Sequence, residues 1–113
     1  MSSILNDVKK MLGITEDYTH FDLDIIAHIN SVLGILAQVG VGSAKGFLIT
    51  GPNETWADFL KDSDDMLYMV KSYVYLRVKL LFDPPTVSST LESYNRSISE
   101  LEWRLYTQQD LKL

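Results

Sequence analysis

Met66-Leu67-Tyr68-Met69-Val70-Lys71-Ser72-Tyr73-Val74-Tyr75-Leu76-Arg77-Val78-Lys79-Leu80-Leu81-Phe82-Asp83-Pro84-Pro85 is the stretch on which the fold turns. Seventeen residues precede Asp83, and only Lys71, Arg77 and Lys79 among them carry charge. A helix this apolar has no solvent face wide enough to lie on a surface, so it is expected at the centre of a bundle. Asp62-Ser63-Asp64-Asp65 supplies acids and a cap for its N-terminus. Pro84 and Pro85 end it, because proline removes an amide donor and disfavours helix in the residue before it.

The flanking sequence carries the same period. Ile4, Leu5, Val8, Met11 and Leu12 mark one face of a short helix, with Ser3 as N-cap and Gly13 as the left-handed residue after its end. Thr19-His20-Phe21-Asp22 reads as a capping box for a helix from about Phe21 to Val39, roughly 28 Å long. Leu23, Ile26, Ile29, Asn30, Leu33, Leu36 and Ala37 form its first stripe; Ile25, Val32, Ile35 and Val39 form a second. A helix apolar on two sides needs two neighbours. Gly34 in its interior suggests a close backbone crossing. Ser89-Thr90-Leu91-Glu92 reads as another capping box. Leu91, Tyr94, Ile98, Leu101, Leu105 and Gln108 then follow as a heptad-like seam, and the tail from Gln108 is expected to fray in isolation.

Gly40 to Thr55 concentrates glycine, proline and threonine and is the long loop of the domain, with Phe47 to Thr50 at most an extended segment. Thr55 to Leu60 is expected to make one or two helical turns with Trp56, Phe59 and Leu60 inward. The fold class is therefore all-α: a small bundle of about four main helices plus a short one, in a single domain over residues 1–113.

Composition narrows the function. The 113 residues are 46% hydrophobic and 22% charged, ordinary for a folded domain and enough to bury roughly 65% of the unfolded surface. Without cysteine there is no disulfide framework, thiolate metal site or cysteine nucleophile. Ten basic residues against fifteen acidic ones leave a net charge of −5, which argues against tight binding to a phosphate backbone. It leaves room for a protein that encloses nucleic acid without gripping it. No apolar run reaches membrane-spanning length, and the N-terminus has no secretion-signal pattern.

Chemical motifs are sparse. Gly40 to Gly46 lacks the Gly-Lys-Ser/Thr ending of a phosphate loop and follows a helix rather than a strand. His20 and His28 bracket Asp24 at a spacing that fits no metal-ligand pattern. The acids from Asp58 to Asp65 lack the glycine and terminal glutamate of a calcium loop. No catalytic residue, cofactor or metal is assigned. The aromatics are in surplus for a small core, and exposed ones concentrate at protein interfaces. Trp103, Leu105 and Tyr106 are the expected exposed set. Val41, Lys45 and Phe47 in the long loop join them as candidate partner-binding residues.

In order along the chain, five segments resemble tailed-phage head–tail connector proteins. These are Ile4 to Ile14, Gln38-Val39-Gly40-Val41-Gly42, Thr55 to Leu60, and the run Val70 to Pro85 followed by Glu100-Leu101-Glu102-Trp103-Arg104-Leu105. The resemblance implies a non-enzymatic adaptor in the virion, assembled in the host cytoplasm. It implies a homo-oligomeric ring, dodecameric in the virion, beneath the portal protein. Such a ring extends the DNA channel and supports a stopper or tail-completion protein, without a membrane. The competing reading is a small helical DNA-binding regulator, against which no candidate recognition helix carries a basic face. A bundle enzyme with a carboxylate–histidine metal site is the third.

Overall fold

The computed structural model describes residues 2–42, 46–61 and 64–111. It is 68% helical, and the described residues form no strand, so the all-α class holds. The elements are α1 (Ile4–Met11), α2 (Asp22–Gln38), α3 (Trp56–Leu60), a 3-10 turn (Asp64–Met66), α4 (Leu67–Phe82) and α5 (Ser88–Leu111).

The apolar run becomes α4, and α1, α2 and α5 all pack against it. Val70, Tyr73, Val74 and Val78 of α4 are buried. They meet Ile25, Ile29, Val32, Leu33 and Leu36 of α2, Ile4, Leu5 and Val8 of α1, and Ile98 and Leu105 of α5 in one core. Each such side chain contributes about 1.5–3 kcal/mol by leaving water. Leu76, although in the middle of α4, is only half-buried at the α4–α5 seam.

Local signals explain most boundaries. Ser3 Oγ accepts from the Asn6 amide, 3.2 Å away, and Gly13 adopts φ +84° after α1. Thr55 and Asp58 form a reciprocal capping box on α3, turning Trp56, Phe59 and Leu60 inward. Trp56 Nε1 donates to Asp7 Oδ2 at 2.8 Å, and Lys71 Nζ lies 3.3 Å from the same oxygen. That shared carboxylate ties α1, α3 and α4 together.

Three local expectations are corrected. Thr19 does not cap α2: Phe21 is the cap residue, with no side-chain bond, and the Asp22 carboxylate turns to Lys9 instead. α5 starts at Ser88, its Leu91 amide bonding the Val87 carbonyl, so Ser89 lies inside the first turn. Gly34 marks no backbone crossing, since a Cβ added there would meet nothing within 4 Å. Separately, the helix α5 runs to Leu111, and Gln108 Nε2 donates to Asp65 Oδ2 at 2.8 Å. Asp62, Ser63 and the last two residues lie outside the described residues.

Two polar contacts absent from the pattern reading shape the loops. Lys9 is fully buried, its ammonium 2.8 Å from Asp22 Oδ1 and donating to the Glu16 carbonyl at 3.0 Å. Asn30 reads both backbone groups of Ile49: its Nδ2 donates to the carbonyl at 3.0 Å and its Oδ1 accepts from the amide at 2.8 Å. The loop after α2 is thereby fastened to α2, with Ile49 buried and Leu48 left outside.

Candidate functional site

α2 and α5 lie on α4 without closing against each other. The gap is an apolar groove of about 400 Å3. Ile35, Leu36 and Val39 of α2 form one wall, Trp103 and Tyr106 of α5 the other, and Tyr73, Leu105 and Glu102 complete it. Trp103 is 67% exposed and Tyr106 54%, while Ile35 and Val39 are each 37% exposed. The second stripe of α2 therefore splits: Ile25 and Val32 are satisfied inside the molecule, and Ile35 and Val39 are not.

The α5 wall is set by a polar cluster. Tyr73 Oη donates to Glu102 Oε2 at 2.7 Å, Arg77 Nε donates to Tyr73 Oη at 3.1 Å, and Arg77 Nη2 pairs with the same Glu102 oxygen. Burial pushes the Glu102 carboxyl up, but the Tyr73 and Arg77 hydrogen bonds and the Arg77 charge together hold it below the ordinary glutamate value. Burial and the bond to Glu102 raise the Tyr73 phenol. The cluster fixes α5 on α4 just where Trp103 and Tyr106 project.

The expected partner-binding residues divide. Trp103 and Tyr106 are exposed on one groove. Leu105 was expected beside them but is buried; it lies on the seam of α5 and faces α4, a quarter-turn or more from each neighbour. Val41 is also buried, because its amide folds back onto the Leu36 carbonyl at 2.9 Å and tucks the side chain into the core. Phe47 is half-buried with its ring 5.3 Å from that of Phe59. It lines a separate groove with Leu33, Gly34, Ala37 and Gly46. Lys45 lies outside the described residues. Sequence reading missed Ile35 and Val39 as site residues, although their place on a second stripe was the signal.

A third surface is an aromatic corner before α2. The Phe21 ring meets Phe82 at 5.2 Å, His20 at 4.8 Å and Tyr18 at 5.9 Å. Tyr18 and Phe21 remain exposed, and Leu23 on the first turn of α2 is 83% exposed. Among the described residues no cluster of His, Asp or Glu is arranged to hold a metal ion. No helix there is long and apolar enough to cross a membrane.

The described residues thus pack a helical core around α4 and leave large apolar surfaces open on α2 and α5. The profile of the phage connector protein family matches residues 4–112. The chain belongs to that family. Comparison with curated proteins and with solved structures finds no match. The connector is a structural component of a bacteriophage, with a head–tail connector role.

Proposed function

We propose that this connector is a ring-forming adaptor. A homo-oligomeric ring, dodecameric in the virion, docks beneath the portal protein, extends the DNA channel and presents a seat for a stopper or tail-completion protein. The whole chain, residues 1–113, acts as one domain, assembled in the host cytoplasm and retained in the virion. The observation that carries this reading is the open groove between α2 and α5. Its exposed walls, Trp103 and Tyr106 facing Ile35 and Val39, are larger than scattered surface apolar residues require. Phe47 on the second groove is a further contact residue of this reading.

The net charge of −5 suits passage of duplex DNA, since clustered Lys and Arg would exchange counterions with phosphate and hold the duplex in place. The ring encloses DNA and does not bind it tightly. The test is genetic and biochemical. Phage carrying a stop codon in this gene should accumulate heads with portals but without tails, and purified connector added to those heads should restore tail joining. Tailed, infectious particles that lack the protein would refute the adaptor role.

A further inference from the structure

The open apolar surfaces lie at opposite ends of α2. The groove sits at its C-terminal end and the aromatic corner, with Leu23, at its N-terminal end. Leu23 and Val39 are separated by 16 residues, roughly 24 Å along the helix. At about 100° per residue, Leu23 also lies about 120–160° around the axis from Ile35 and Val39. One chain cannot seat its own corner in its own groove, and the two surfaces face different ways.

The corner is held from behind. Lys9 grips the Glu16 carbonyl and Asp22, on either side of the loop that carries Tyr18 and Phe21, and Phe82 supports the Phe21 ring. An apolar protrusion whose backbone is already fixed loses little entropy on docking.

We propose that the groove is filled by the corner of a second copy of this chain: Tyr18, Phe21 and Leu23 of one copy seat against Ile35, Val39, Trp103 and Tyr106 of the next. This rests on the adaptor reading and specifies the contact between neighbours. The areas match. Taking 150–250 Å2 for an aromatic side chain, the exposed groove walls offer roughly 400 Å2 and the corner roughly 300 Å2. Together they fill the apolar share of an interface of about 1,200 Å2, the lower end of specific association. Because each copy offers two different surfaces, the contact is head-to-tail and repeats, closing into a ring where the rotation permits.

The chain has no cysteine, which makes the test clean. Full-length Leu23→Cys and Val39→Cys are mixed and oxidised. A covalent heterodimer is expected from the mixture, neither variant alone giving one, and the double variant should give a ladder of multimers. Homodimers of one variant alone, or no cross-link in any sample, would overturn the proposal. Sedimentation over a concentration series supplies the second measurement. Leu23→Asp and Trp103→Ala should each weaken self-association at least tenfold with unchanged melting temperature, and their combination should lose little more. Fully additive losses would show that the two residues do not meet. A wild-type chain monomeric into the millimolar range would also overturn the pairing, yet leave the adaptor role standing if tail joining is restored. Cross-links between the mixed variants, with no restoration of tail joining by the wild-type chain, would support the pairing and remove the adaptor role.

Discussion

Lys9 and Asp22 are two halves of one ion pair, but removing them should have unequal effects. Lys9 is fully buried, and its ammonium has two oxygen neighbours, Asp22 Oδ1 at 2.8 Å and the Glu16 carbonyl at 3.0 Å. The Asp22 side chain keeps 23% of its exposure, so it stands at the edge of the same pocket. Asp22→Ala strands a buried ammonium with one neutral acceptor. Breaking a buried pair this way costs about 3–5 kcal/mol, and the open edge puts this one at the low end, about 3 kcal/mol. Lys9→Met keeps the apolar stem and removes the buried charge; Asp22 Oδ1 is itself buried, but the side chain is 23% exposed and can turn toward water, so a smaller cost of about 1 kcal/mol is expected. For a domain near this length the two correspond to falls in melting temperature of about 12 and 4 °C. Urea unfolding at neutral pH, followed by circular dichroism, reads both. A Lys9→Met protein as unstable as Asp22→Ala, or more so, would refute the reasoning, because the effect would then follow the lost contact rather than the stranded charge.

Asn30→Ala should cost about 2 kcal/mol and speed hydrogen exchange at the Ile49 amide, since both backbone groups of Ile49 lose their partner; unchanged exchange would place the loop's anchor elsewhere. Gly34→Ala should stabilise by about 1 kcal/mol, filling open space in a helix interior, whereas Gly42→Ala should destabilise by about 2 kcal/mol or more. Gly42 has φ +83°, and a Cβ there would stand 2.5 Å from the Phe59 ring; melting curves of the two variants give the comparison. Glu102→Gln should be less stable than wild type at pH 7. The gap should close as pH falls below the usual glutamate value of 4.5, because a carboxyl held down in the folded state contributes only while ionised; parallel denaturation curves across that range check the sign. Val74→Asp should abolish folding, while Leu76→Asp, at a half-buried seam, should leave a weakened but folded chain distinguishable by near-UV circular dichroism.

The helices were legible because their signals are local. The apolar run of α4, Ser3 and Gly13 around α1, and the inward trio of α3 all depend on residues within a turn or two of one another. The corrected features depend on distant partners. Thr19 failed as a cap because Asp22 is drawn to Lys9, thirteen positions earlier, and nothing in a stretch of amphipathic helix marks one lysine as buried. Asn30 sits on an apolar stripe and reads as an exception until Ile49 is seen across from it. The site was half legible for the same reason. Surplus aromatics predicted Trp103 and Tyr106 outside, but Leu105 between them belongs to the seam, a distinction already present in the heptad spacing.

The two stripes of α2 show how a monomer can record the contacts it lacks. A surface helix needs one apolar stripe. The first stripe beyond Leu23 and the front half of the second are used inside this chain, as the burial of Ile29, Leu33, Ile25 and Val32 shows. What remains, Ile35 and Val39 at one end and Leu23 at the other, has no partner among the described residues that covers it. A helix built only to stabilise the bundle would have polar residues at those three positions at no loss of core. Their apolar character is intelligible if α2 serves two interfaces besides the core, one at each end. That arrangement is what the proposed head-to-tail pairing asks of α2, and a small domain acting alone would have no use for it.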